Sequence, residues 1–102
     1  MKYNKLVRDK IPGVIKENGK NPITHVADDK EYWKKLKEKL KEEVNEFVKD
    51  SNEEEIADIL EVINAICIYK KYDKSKLDYI KKEKAEKRGK FDNRIILDEV
   101  KD

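Results

Sequence analysis

Cysteine, histidine, proline and glycine are nearly missing from this 102-residue chain, which has one Cys, one His, two Pro and three Gly. A lone thiol, Cys67, excludes an intramolecular disulfide and a zinc site built from several cysteines. It lies in an apolar stretch, which marks it as a buried, unreactive thiol rather than a nucleophile. His25, without a partner nearby in sequence, reads as structural rather than catalytic. No run approaches the roughly 18 apolar residues of a membrane span, and no signal peptide opens the chain. A soluble cytoplasmic protein that meets no membrane is the expectation. A charge of one sign is missing too: 25 Lys and Arg face 23 Asp and Glu, a formal net charge of +2. That balance does not call for a nucleic-acid partner. There is no internal repeat, linker or low-complexity segment, so the length holds one domain, residues 1–102, with a modest core.

What the chain does have is charge, 47% of its residues, arranged on helical periods. The chain is organised around residues 36–66, LKEKLKEEVNEFVKDSNEEEIADILEVINAI. Leu36, Leu40, Phe47 and Val48 mark an apolar stripe on a first helix, and Ile59, Val62, Ile63, Ala65 and Ile66 mark one on a second. At about 100° per residue, Glu43 lies within roughly 60° of Leu36, Leu40 and Phe47, with Glu46 roughly 60° to its other side. On the second helix Asp58 projects close to Val62 and Ala65, and Glu55 is one turn earlier. Each helix therefore carries an acidic pair at i, i+3, at the edge of the face that packs on its neighbour.

Four carboxylates at a helix–helix interface repel one another and lose hydration unless a cation sits among them. Mg²⁺ or Mn²⁺ suits such a place, because it takes carboxylate oxygens and binds phosphate as well. The plain alternative is a solvated acidic face in a highly charged chain. Two pairs on consecutive helices, each intruding on an apolar stripe, favour the metal.

The remaining elements frame this pair. Pro12 suits the first turn of a helix covering Gly13 to Glu17, which Asn18-Gly19 ends. Residues 23–27, Ile-Thr-His-Val-Ala, read as a short extended segment. Asp28, with Glu31 three residues on, resembles a capping box for a helix from about Lys30 to Val48. Tyr32 and Trp33 anchor its start. After a turn at Lys49-Asp50-Ser51-Asn52, Ser51 or Asn52 caps the next helix, Glu53 to Lys71, which is apolar nearly all round between Ile56 and Tyr69 and so asks for a partner chain. A third long helix starts at Ser75 and runs to Arg88, with Gly89 as its C-terminal cap. The tail Phe91 to Leu97 carries apolar residues expected to pack back. The predicted fold is all-α, an antiparallel helical bundle completed by oligomerisation. Lys5, Arg8, Lys84, Arg88 and Arg94 are candidate phosphate clamps, though a solvated arm and a helix-dipole effect explain part of the pattern. Phe91 or Tyr3 could stack on a base or pack in the core.

The spacing Glu43-x-x-Glu46 followed by Glu55-x-x-Asp58 resembles the metal motif of the all-α NTP pyrophosphatase superfamily, which includes MazG and the phosphoribosyl-ATP pyrophosphohydrolases. YNKLVRDKIP at the start, KEEVNEF and EIADILEV in the centre and EKRGKFDNRIIL near the end look like its small phosphoribosyl-ATP pyrophosphohydrolase-like branch. The resemblance covers nearly the whole chain. One departure is the spacer: eight residues separate Glu46 from Glu55, where a dozen or more are common, which opens Glu54 as a rival ligand. Helical phase favours Glu55, since Glu54 points about 100° away.

The resemblance implies Mg²⁺-dependent hydrolysis of a nucleoside triphosphate between its α and β phosphates, giving a monophosphate and pyrophosphate. It implies Glu43, Glu46, Glu55 and Asp58 as metal ligands, with Glu43 or Glu46 as the acid that takes the proton of the attacking water. It also implies a homodimer or homotetramer with a site shared between subunits. One rival is a true phosphoribosyl-ATP pyrophosphohydrolase of histidine biosynthesis. The other is a non-catalytic helical module that binds nucleic acid or protein through the lysine-rich third long helix.

Overall fold

The computed structural model describes residues 3–102, and every regular element in them is an α-helix. Helix α1 spans Ile11–Glu17, α2 Asp29–Asp50, α3 Glu53–Lys70 and α4 Lys74–Arg88. Pro12 sits in the first turn of α1, where its missing N–H is not needed. Gly19 takes φ 78° just after that helix, a conformation open to a residue without Cβ.

The two long helices begin on side-chain caps. Asp28 Oδ1 accepts the Glu31 N–H at 2.9 Å, and Asn52 Oδ1 accepts the Glu55 N–H at 3.0 Å. Between them Ser51 turns the chain in the left-handed region at φ 53°, and its N–H donates to the Phe47 carbonyl at 2.7 Å. Because this turn is so tight, α2 and α3 fold back as an antiparallel hairpin, the one helix pair among the described residues that packs extensively.

Leu36 of α2 and Val62 and Cys67 of α3 are the buried apolar side chains of this hairpin, and Leu36 is 1% exposed. Burying a leucine to that degree stabilises by about 1.5–3 kcal/mol. Cys67 is thus packed as a small apolar group. The open end of the hairpin is held by aromatics. Tyr69 stacks on Trp33 with centroids 5.8 Å apart, meets Tyr32 edge-on at 5.2 Å, and its hydroxyl donates to the Asp29 carbonyl at 3.1 Å. Lys37 and Lys70 each place an ammonium over the Trp33 ring.

Several expectations change. The fold is all-α as expected, and the single chain by itself closes a helical hairpin: its principal extents are 61 × 31 × 26 Å and its radius of gyration 18.5 Å, where about 13 Å is usual for a compact domain of 100 residues. The tail does not pack back. Phe91 is 97% exposed, and Ile95, Ile96 and Leu97 are exposed as well. Residues 23–27, expected to be extended, carry no regular secondary structure, and Ile23 and Val26 are exposed, with no strand among the described residues to pair with them. The cap of α4 is Asp73, whose carboxylate accepts the Ser75 N–H at 2.9 Å, so Ser75 lies inside the helix. Gly89 does end α4, at φ 82° and ψ 179°, a region closed to other residues. Helix α3 keeps Ile56, Leu60 and Ile63 exposed on a face roughly 100° round from the one that meets α2.

Candidate metal centre

The tight turn at Ser51 brings the C-terminal half of α2 against the first turns of α3, and with them the acidic residues. Carboxylate oxygens of Glu43, Glu55 and Asp58 lie within 4.8 Å of one another. A second group, sharing Glu55, joins Glu46 and Asp50 within the same limit. Glu54 stands in neither group and is exposed in the first turn of α3. Two oxygens on opposite sides of one Mg²⁺, each bound at about 2.1 Å, are about 4.2 Å apart. Adjacent oxygens on such an ion are only about 3.0 Å apart, so the side chains of either group would draw together to hold one ion.

Helix polarity sharpens the point. Glu55 benefits from the positive N-terminal end of α3, but Glu46 and Asp50 sit at the C-terminal end of α2, where negative charge is unfavourable. Glu55 carries the consequence: loss of hydration, then Asp58, Asp50, Glu46 and Glu43 in turn, push its carboxyl above the usual carboxylate range. The donors are all hard oxygens, the set that Mg²⁺ or Mn²⁺ takes and that zinc or copper does not select. The nitrogen and sulfur donors are elsewhere engaged, His25 Nε2 with Glu31 at 2.9 Å and Cys67 in the core.

Two of the candidate clamps lie along this site. Arg8 Nη2 donates to Asp58 Oδ1 at 2.9 Å, and Lys5 Nζ donates to Glu42 Oε1 at 3.0 Å. The N-terminal segment is drawn over both long helices, helped by Lys35 Nζ, which donates to the Asn4 carbonyl at 2.8 Å. Lys84 and Arg88 belong to α4, and Arg94 to the tail beyond it. None of the three makes an ion pair with the acidic groups among the described residues. Phe91 stands free in solvent, while Tyr3 lines a cavity of about 270 Å³ with Lys5, Lys35, Lys39 and Glu42.

Sequence reading missed three residues here. Asp50 is one turn beyond Glu46, a spacing that signals a shared face but falls where a turn was expected. Lys39 bridges Glu42 at 3.1 Å and Glu43 at 3.2 Å, and its i, i+4 relation to Glu43 was the available signal. Glu42 is partly buried, which raises its pKa, yet the hydrogen bonds from Lys5 and Lys39 outweigh this and hold it below the usual carboxylate range.

No family model matches the chain, and no solved structure does. A protein of Mycolicibacterium smegmatis, described as uncharacterized, is 48% identical over 42 residues, a match spanning 41% of this chain and 43% of that protein.

Proposed function

We propose that the chain is a Mg²⁺-dependent nucleoside triphosphate pyrophosphohydrolase of the all-α NTP pyrophosphatase superfamily. It would cleave between the α and β phosphates to give a monophosphate and pyrophosphate. The observation that carries this reading is the convergence of Glu43, Glu55 and Asp58 from two helices onto one point, in the spacing that resembles the superfamily's motif.

Glu43, Glu55 and Asp58, with Glu46, would hold the ion, and Mn²⁺ would serve in place of Mg²⁺. A bound divalent cation supplies charge neutralisation for a polyphosphate and lowers the pKa of an attacking water. The chain's own residues do the rest. Phosphoryl transfer asks for positioning and charge compensation rather than a covalent nucleophile, which fits a site with no reactive Cys or Ser. Glu46 is the exposed member of the four ligands and is the acid free to accept the water's proton. Arg8 and Lys5 are within reach to bind phosphate oxygens, Arg8 through two parallel hydrogen bonds.

Lys84, Arg88 and Arg94 would take part in substrate binding once a second copy of the chain closes the site. The small core supports a homodimer or homotetramer: among the described residues, three buried apolar side chains and an exposed Ile56–Leu60–Ile63 face are little for an independent domain of this length. Abundant charge fits a cytoplasmic setting; among the described residues no helix is long and apolar enough to cross a membrane.

The test is pyrophosphate release from a panel of nucleoside triphosphates and phosphoribosyl-ATP, with Mg²⁺ and with EDTA. Metal-dependent release supports the reading, and preference for phosphoribosyl-ATP would assign histidine biosynthesis instead of general nucleotide hydrolysis. No release from a folded protein that binds Mg²⁺ overturns it.

A further inference from the structure

Two of the three carboxylates in the Glu43–Glu55–Asp58 group already have a cation each. Arg8 holds Asp58 at 2.9 Å, and Lys39 holds Glu43 at 3.2 Å. The Lys39 and Glu43 side chains are 17% and 13% exposed, the best shielded ion pair in the protein, whereas Arg8 is 57% exposed and free to swing. Glu46, Asp50 and Glu55 have no cationic partner among the described residues. The cations therefore cover two of the four proposed ligands, Asp58 and Glu43, with Lys39 shared between Glu43 and Glu42, and leave Glu46 and Glu55 open. A divalent ion that takes the bonded oxygens of Asp58 and Glu43 displaces Arg8 and leaves Lys39 to Glu42 alone, with both cations beside a new positive charge. If it enters with a polyphosphate, the anion offers the two displaced cations new acceptors.

We infer that Arg8 and Lys39 are internal counter-ions of the carboxylate site, which exchange onto the anion when a divalent cation and a polyphosphate bind together. This rests on the proposed metal site. It makes the ion and the nucleotide bind cooperatively, because each supplies what the other's entry displaces, and such coupling is reciprocal between the two ligands. Lys39 becomes a positioning residue, and Arg8 belongs to the metal-free site as much as to the nucleotide-bound one.

Two measurements on the full chain test the exchange: Mn²⁺ affinity by electron paramagnetic resonance, and affinity for α,β-methylene-ATP at saturating Mn²⁺ by calorimetry. In Arg8→Ala and in Lys39→Met, Mn²⁺ alone should bind more tightly, by about 5-fold, while the nucleotide analogue should bind more weakly by about 10-fold or more, within the usual range of coupling between sites. Lys87→Ala, which removes a pair with Glu83 on α4, serves as a surface control and should change neither. Mn²⁺ affinity unchanged or reduced in both variants, with circular dichroism as in the unsubstituted protein, would overturn the exchange and leave the metal site standing. Absence of Mn²⁺ binding in the unsubstituted protein would overturn both.

Discussion

Glu55 is the residue whose replacement separates repulsion from ligation, because it belongs to both carboxylate groups. Its neighbours and its poor hydration raise its pKa, so the folded chain holds this proton more tightly than the unfolded chain does. The sign of the pH dependence follows. Glu55 favours folding while protonated, and this contribution is lost as pH rises from the ordinary carboxylate range through the raised value. At neutral pH the metal-free protein carries the penalty. Glu55→Gln keeps the shape and removes the charge, so without metal it should melt above the unsubstituted protein at pH 7 and no higher at acid pH. Metal reverses the order. An ion at a hundred times its dissociation constant stabilises a folded protein by about 2.7 kcal/mol. In a domain of this size each kcal/mol raises Tm by about 4–8 °C, so saturating Mn²⁺ should raise the unsubstituted protein by roughly 10–20 °C. The Gln variant, having lost the shared ligand, should gain at most a few degrees. Thermal melts followed by circular dichroism at fixed protein concentration, with Mn²⁺ and with EDTA, decide it. An equal Mn²⁺ response in the two proteins, or a lower metal-free Tm for the variant at neutral pH, would refute the reasoning.

Two further outcomes bear on the hairpin itself. Leu36→Ala removes the most buried side chain and should destabilise by about 2–5 kcal/mol, measured as a lower urea midpoint with the variant's helical signal retained below it. Glu42, whose pKa is held down by Lys5 and Lys39 against the opposing effect of its own burial, stabilises the fold above the ordinary carboxylate range and loses this as pH falls through its lowered value; Glu42→Gln should therefore flatten the acid limb of a stability–pH curve recorded by urea titration.

The helical hairpin was legible in the sequence because its signals are local. The Asp28 cap, the Ser51-Asn52 turn and the Leu36 stripe lie within a few residues of what they control, and the observed ends of α2 and α3 fall within two residues of those expected. Acidic side chains intruding on apolar stripes were legible for the same reason. Lys39 was not, because its i, i+4 relation to Glu43 is one of many such spacings on a charged helix; the fold singles it out by placing it on both Glu42 and Glu43. Asp50 was hidden by the end of α2, which runs through the residues taken for a turn. At α4, Asp73 and Ser75 are both good caps two positions apart, and the more N-terminal one holds the end. The tail was misread because hydrophobicity alone does not say which surface a segment covers, or whether it covers one in its own chain. The exposed α3 face poses the same question from the other side: its apolar pattern names no surface that covers it.

The central claim is a cleavage position, so product identity tests it most directly. One nucleoside triphosphate should be incubated with the protein and Mg²⁺ and the products separated by anion-exchange chromatography. The account predicts monophosphate and pyrophosphate in equal amounts, absent with EDTA and absent with Asp58→Asn. Diphosphate and orthophosphate, or the same products in undiminished amount from Asp58→Asn, would contradict it.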